Sequence, residues 1–288
     1  MAAKRGWNAG DVQAFSGENL ERLHRAAAEL SYLLDHGYPR ESAITFVGNR
    51  YQFTQRQRLF LARGVCGEAA QHKRQGKCLP CSAMQGRTVY VDAFNTIITL
   101  EVALSGSLVV AAQDGTLRDL AGLAGTYHPI GKTVEAIDML LSLFKQEKAT
   151  CAVFFMDAPV SNSGRLAALI EQRAREFGGA QDPTGMQGPA DAQDPAGTQG
   201  PAGTQGPAGT QEPAGIQDPA GIQEPASVQG CGGVQVETIM VPDADVQLYN
   251  RELVVSSDSH VLDRCTTWLA ASSAVLHGVK GVWALHAI

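Results

Sequence analysis

The sequence predicts an α/β fold, a mainly parallel open sheet flanked by helices, preceded by a small all-α module. Three observations predict it. From Arg87 onward, short apolar runs alternate with longer runs of helical period, which is the pattern of βαβ units. Three of the short runs stop on an aspartate: Val89-Tyr90-Val91-Asp92, Ala152-Val153-Phe154-Phe155-Met156-Asp157 and Leu253-Val254-Val255-Ser256-Ser257-Asp258. Continuous apolar strands belong to sheets buried on both faces, and open α/β sheets take ligands beyond the C-terminal ends of their strands. Before Arg87 the apolar spacing is helical instead.

Taken in order, residues 1–14 read as a tail and 15–65 as the helical module. Leu20, Leu23, Ala27, Leu30 and Leu34 recur at helical spacing over 17–36, and Gly37 suits the position after a helix end. Pro39 opens a second helix, with Ala43, Ile44 and Val47 inward. Thr54 caps a third that carries Leu59 and Leu61. Residues 66–87 are polar and read as a linker. Their pair Cys78-Leu79-Pro80-Cys81 supplies two thiols where a structural zinc needs four ligands.

The α/β domain then runs in two parts, 88–180 and 230–278. The first part holds strand 88–92, a helix from Phe94 to Leu104, strand 108–111 with a turn at Asp114-Gly115, helix 132–146, strand 151–156 and helix 163–177. The second holds strands 234–241 and 252–257 and a helix from about His260. Between the parts, 181–229 is an insert with eight hexapeptides from Gln181 to Val228. Its glycines fall every third residue over a short stretch, but Asp194 and Glu212 break the register that a collagen helix requires. Polar and Pro/Gly-rich, it is expected to be disordered, and a long loop adds little closure entropy. Residues 279–288 read as a C-terminal tail.

The net charge of −6 conceals an asymmetry: residues 1–87 balance at +6 and residues 88–288 at −12. A basic part beside an acidic one suits polyanion binding next to metal binding. No apolar run approaches the roughly 18 residues that span a bilayer, and no apolar segment follows Met1-Ala2-Ala3-Lys4-Arg5-Gly6, so no signal peptide is read. The expected location is cytoplasmic, with the nucleus left open, and the six cysteines are then reduced.

Carboxylates gathered at one sheet edge repel one another unless a cation joins them, and oxygen-only ligands favour Mg²⁺ or Mn²⁺ over zinc. Asp92 ends a strand and Asn95 follows one helical turn later; Asp157 and Asp258 end strands in the same manner. Asp243 and Asp245 follow strand 234–241, Asp263 follows Asp258, and Glu101 sits on an otherwise apolar helix where it needs a partner. Ser161, Ser163 and Arg165 lie at a helix N-terminus, where anions bind. Arg50, Arg56, Arg58 and Arg63 cluster in the helical module as candidate phosphate contacts. Other chemistries fall away. Gly125 to Thr133 resembles a P-loop but has five residues between its glycines where that motif has four, and no clear strand precedes it. The histidines lack a metalloprotease pair, and the serines lack a nucleophile elbow.

Two stretches carry a family resemblance. Leu33-Leu34-Asp35-His36-Gly37-Tyr38-Pro39 and Val47-Gly48-Asn49-Arg50-Tyr51 resemble the domain-of-unknown-function family 434. Val91-Asp92-Ala93-Phe94-Asn95, Asp157 to Arg165 and Ser257-Asp258-Ser259 are similar to the PIN-like domain that accompanies it, and to the wider PIN/NYN ribonuclease group. The resemblance covers most of the chain outside the insert and tail. It implies a PIN-like fold and an Mg²⁺ or Mn²⁺ site at Asp92, Asp245 and Asp258, with Asn95 and Asp157 close by. Two departures stand out: the lysine and glycine that often precede the middle acid are absent before Asp245, and Ser259-His260 stand where a second late acid often follows.

The expected function is metal-dependent phosphodiester hydrolysis, with RNA as the substrate ahead of other nucleic acid. Two rivals stand beside it: a non-catalytic RNA- or protein-binding adaptor on a degenerate PIN-like scaffold, and a metal-dependent phosphatase. RNA or another nucleic acid is the expected partner, a membrane is not, and a homo-oligomer is left open.

Overall fold

A computed structural model describes residues 4–123, 125–177 and 233–287. The insert expected over 181–229 lies outside the described residues. The chain opens with helices α1 (Asp11–Ala14), α2 (Gly17–Asp35), α3 (Arg40–Arg50), α4 (Gln55–Gly64) and α5 (Glu68–Gln75). It continues through β1 (Cys78–Leu79), a 3-10 turn at Cys81–Met84, β2 (Thr88–Asp92), α6 (Ala93–Leu104), β3 (Leu108–Ala111) and β4 (Leu117–Asp119). Then come α7 (Gly131–Gln146), β5 (Cys151–Asp157), α8 (Ser163–Phe177), β6 (Gln235–Val241), α9 (Ala244–Leu248) and β7 (Val254–Val255). The described chain closes with α10 (Ser259–Arg264), β8 (Trp268–Leu269), α11 (Ala271–Leu276) and β9 (Trp283–His286).

Local sequence explains the early helix ends. Gly37 follows α2 at φ +78°, a conformation that costs glycine little. Thr54 opens α4 with a capping box: its hydroxyl accepts from the Gln57 backbone, and the Gln57 side chain accepts from the Thr54 N–H at 3.0 Å.

The fold class is α/β. Six parallel strands run in the order β1-β8-β7-β2-β5-β6. Side chains alternate across this sheet, as the strand period requires. Val89, Val91, Ala152, Phe154, Met156 and Val255 face α6, α7, α8 and α11. Tyr90, Val153, Phe155 and Val254 face α9 and α10. By the same alternation Asp92 and Asp157 fall on the α9–α10 side. From β2 the chain builds outward to β5 and β6, then returns to lay β7 and β8 on the other flank. The strand order therefore reverses between β2 and β7, and such a switch point opens a crevice beyond the strand ends.

Residues 66–87 are no free linker. Within them α5 buries Arg74, whose carbonyl accepts from Trp268 Nε1 at 2.7 Å, and β1 pairs with β8. Polar composition hid this, because the one buried side of α5 is held by ion pairs and not by apolar residues. Residues 279–288 also differ from the expected tail: β9 lies parallel to β3, which pairs antiparallel with β4. Leu108, Val110, Leu120 and Ala287 complete the core of α2, α3 and α4 around Leu23, Leu30, Phe60 and Leu61. Each large apolar side chain of this kind contributes about 1.5–3 kcal/mol on burial.

Gly64 marks how closely these parts meet. A Cβ there would stand 2.5 Å from Ala287 Cβ and 2.8 Å from Val110 Cγ1. Gly64→Ala is therefore expected to cost about 1–3 kcal/mol by overpacking, measured by urea unfolding; an unchanged midpoint would show that β9 yields freely. Among the described residues no helix is long and apolar enough to cross a membrane.

Candidate functional site

The pairing of β2 with β7 brings Asp92 and Asp258 to one edge. Asp92 Oδ2 accepts from Ser256 Oγ at 2.8 Å, and Ser256 Oγ accepts in turn from the Asp258 backbone N–H at 3.0 Å. Asn95 Oδ1 takes bonds from the backbone N–H and the hydroxyl of Ser257, both at 2.8 Å. The start of α6 thus grips the β7–α10 loop at two points. Asp92 and Asp258 also cap α6 and α10.

Asp157 completes the edge from β5. Its Oδ1 accepts from the Ala244 N–H at 2.7 Å and so fixes the start of α9, which carries Asp245; Asp243 caps the same helix. Asp157 is a positioning group by this geometry. The Asp245 side chain makes no hydrogen bond among the described residues.

Electrostatics show that these acids feel one another. Burial first, then the charge of Asp245, raises the Asp92 carboxyl to about 8; Asp258 adds to the rise, and the bonds from Ser256 and Asn95 oppose it. Burial first, then the charges of Asp258, Asp243 and Asp157, raises Asp245 to about 6, against a pull from His260. Among the described residues, none of these five aspartates has an ion pair. Nor do any three His, Cys, Asp or Glu groups there stand as close as a single metal shell requires. The acids share a field without sharing a shell.

The remaining candidates scatter. Glu101 is buried in α6, 2.5 Å from Arg5, and accepts from the Tyr127 and Thr133 hydroxyls; it anchors the N-terminal arm, apart from the acids. Asp263 is held at two points by Arg74, both 2.8 Å. Arg56 pairs with Asp11 through two bonds of 2.9 and 2.8 Å and also reaches the carbonyls of Gly6 and Leu120. Arg58 bonds Phe53, Thr45 and Asn49. Both arginines face protein partners, which corrects their reading as phosphate contacts. Arg50 lies 3.4 Å from Glu29, and Arg63 offers its carbonyl to Arg118. Near Asp157, Ser161 and Arg165 are exposed, while Ser163 is buried with its hydroxyl 3.5 Å from the Ala158 carbonyl.

Sequence reasoning missed the groups that hold the site from below. Arg118 is buried on β4 and donates to the Ser257 carbonyl at 2.7 Å and to Asp114 at 2.6 Å. Arg74 meets the same Asp114 oxygen at 2.9 Å. A chain of buried Arg118, Asp114 and Arg74, ending on the half-buried Asp263, thereby fastens the loop after β7 and the helix after it. The only local signal was a pair of charged residues flanking apolar positions in a short strand, Leu117-Arg118-Asp119.

Comparison with known proteins places the chain. Residues 22–77 match the family described as "Protein of unknown function (DUF434)", and residues 81–183 match "Domain of unknown function (DUF5616)". An uncharacterised protein of Methanocaldococcus jannaschii is 30% identical over 155 residues, which is 54% of this chain and 74% of that protein. The chain belongs to the DUF434–DUF5616 family. Its DUF434 segment takes in α2, α3, α4 and α5; its DUF5616 segment runs from the 3-10 turn past α8 and contains Asp92, Asn95 and Asp157. Asp245 and Asp258 lie beyond both segments. No solved structure matches the chain.

Proposed function

We propose that this DUF434–DUF5616 protein is an Mg²⁺- or Mn²⁺-dependent ribonuclease on a PIN-like, NYN-like scaffold, cutting phosphodiester bonds at the sheet edge. One observation carries this reading: acids from three strand ends and α9 gather at the switch point with no basic side chain paired to them. Such an edge is uncomfortable without a cation. The donor set fits a hard divalent ion by chemistry and by charge, since every donor is oxygen. By distance, no three of the acids share a shell among the described residues.

When bound, the ion would supply a more acidic water and charge neutralisation at the phosphodiester. The chain's own residues do the rest. Asp92, Asp245 and Asp258 would hold and orient the ion. Ser256 fixes the Asp92 carboxylate, Asn95 fixes the loop that carries Asp258, and Asp157 fixes the helix that carries Asp245.

A second reading has its own support. Asp92, Asp243 and Asp258 each cap a helix, an occupation that needs no metal, and this suits a non-catalytic RNA- or protein-binding adaptor. The deciding experiment incubates a mixed single-stranded RNA pool with Mn²⁺ and compares wild type with Asp92→Asn. Metal-dependent cleavage by wild type alone supports the nuclease; equal cleavage by both proteins, or by neither, rejects it and leaves the adaptor.

A further inference from the structure

A cleft of about 540 Å³ lies between α5 and α10, with Ala69, Ala70 and Lys73 on one wall and His260, Asp263 and Arg264 on the other. Its size falls within the roughly 300–1,000 Å³ of ligand-binding clefts. Pairing decides its charge. Asp263 is engaged by Arg74 through two bonds, so the one acid of the cleft is already neutralised. Lys77 is engaged as well: its ammonium donates to the carbonyls of Leu262, Asp263 and Cys265 at 3.0, 3.0 and 2.8 Å and seats α10 on β1. The Lys73 side chain makes no hydrogen bond or close ion pair among the described residues, though its charge adds to that of Arg74 on Asp263, and it is exposed. Arg264 is exposed too, its guanidinium 5.1 Å over the Tyr249 ring and 3.4 Å from His260 Nδ1. The cleft therefore presents surplus positive charge, and its two alanines add no polar group of their own.

The cleft also leads somewhere. His260 lines it, while the His260 N–H is held by Asp258 Oδ1 at 2.7 Å. Tyr249, beneath Arg264, directly follows α9, the helix of Asp245. One end of the cleft is thus the rim of the acid cluster.

We infer that this cleft is the track for a single-stranded polynucleotide, with Lys73 and Arg264 holding backbone phosphates next to the one presented to the acids. The direction of the track rests on the nuclease reading; the binding does not. The DUF434 segment then takes part in binding through α5, which supplies one wall of the track, and not through Arg56 and Arg58. Phosphates bound by Lys and Arg displace counterions, so affinity falls with salt.

Binding is measured by fluorescence anisotropy of a short labelled oligouridine on the full chain, in EDTA so that no cleavage intrudes. Wild type is expected to bind, with a salt slope that Lys73→Ala and Arg264→Ala each flatten by roughly 0.7, the value for one phosphate contact on a single strand. Each variant should lose about tenfold in affinity at low salt. Arg87→Ala, at the opposite end of β2 and paired with Glu252, is expected to bind as wild type. Both altered residues are exposed, so the melting temperature should hold. Absence of binding by wild type, or wild-type affinity in either Lys73→Ala or Arg264→Ala, overturns the track whatever the cleavage assay shows. Weakened binding by both variants upholds it, even where Mn²⁺ brings no cleavage and the nuclease reading falls. A deoxythymidine oligomer in parallel shows whether the ribose matters: preference for the ribo strand makes the ligand RNA, and equal affinity makes it either polynucleotide.

Discussion

Asp92→Asn is expected to lose RNA cleavage by about two orders of magnitude or more while melting higher than wild type above pH 8. The two effects share one cause. Loss of a ligand carboxylate removes charge that only a metal makes useful. In the metal-free chain that same charge is a burden, because Asp92 is buried and faces Asp245 and Asp258. Its folded value is raised to about 8, against about 4 in the unfolded chain. Between those values the folded state holds a proton that the unfolded state has released. Stability from this group is therefore greatest below about pH 4 and declines as pH rises to about 8. Asp245, raised to about 6, adds to the decline over the lower part of that window. Asparagine imitates the protonated acid and escapes the penalty. Melting temperatures of the two proteins should diverge steadily from pH 5 to about pH 8 and keep a constant gap above it, by about 2–4 °C for each kcal/mol. Added Mn²⁺ should raise the wild-type melting temperature, more at pH 8.5 than at pH 6, because protons compete for the ligands. Parallel melting curves for the two proteins would show that Asp92 carries no buried charge.

Asp114→Ala is expected to destabilise the fold by about 3–5 kcal/mol, the usual cost of removing one partner from a buried ion pair. Arg74 and Arg118 both contact the same Asp114 oxygen, at 2.9 and 2.6 Å, and all three side chains are nearly fully buried. Without the carboxylate, two guanidinium groups face each other in the interior. The damage extends to the site, since Arg118 holds the Ser257 carbonyl and Arg74 holds Asp263. Acid should imitate the mutation. The arginines, with the Thr116 hydroxyl, keep the Asp114 carboxyl below its ordinary range against the penalty of burial, and Arg74 does the same for Asp263. Their contribution is complete above the unfolded value near 4 and is lost as pH falls through the folded values. Urea unfolding at pH 7 checks the mutant, and a loss below about 1 kcal/mol would mean that water reaches the arginines.

How far the sequence carries depends on the range of the interaction. Strands 88–92 and 151–156 and helices 132–146 and 163–177 were legible because apolar periodicity is local. The convergence of Asp92 and Asp258 was legible too, since both end apolar runs in a parallel sheet. Arg74 and Asp263 are 189 positions apart, and their union leaves no trace in either neighbourhood. That is why α5 reads as linker. Arg56 misleads for the same reason: a basic residue on a polar helix looks solvated until Asp11 and the carbonyls of Gly6 and Leu120 close around it. Two-residue strands such as β1, β7 and β8 carry too few side chains to show any alternation.

The strand β9 bears on how the chain comes to be folded at all. Its partner β3 is made long before it, and Trp283, Leu285 and Ala287 fill the core of helices that precede even β3. A ribosome therefore delivers α2, α3 and α4 with their apolar sides unfinished and keeps them so until β9 has emerged. During that interval the exposed Leu and Phe side chains are open to wrong partners, and closing such distant contacts is slow. Chaperone dependence during synthesis should then reside in these helices, although the residues that relieve it follow far later in the chain.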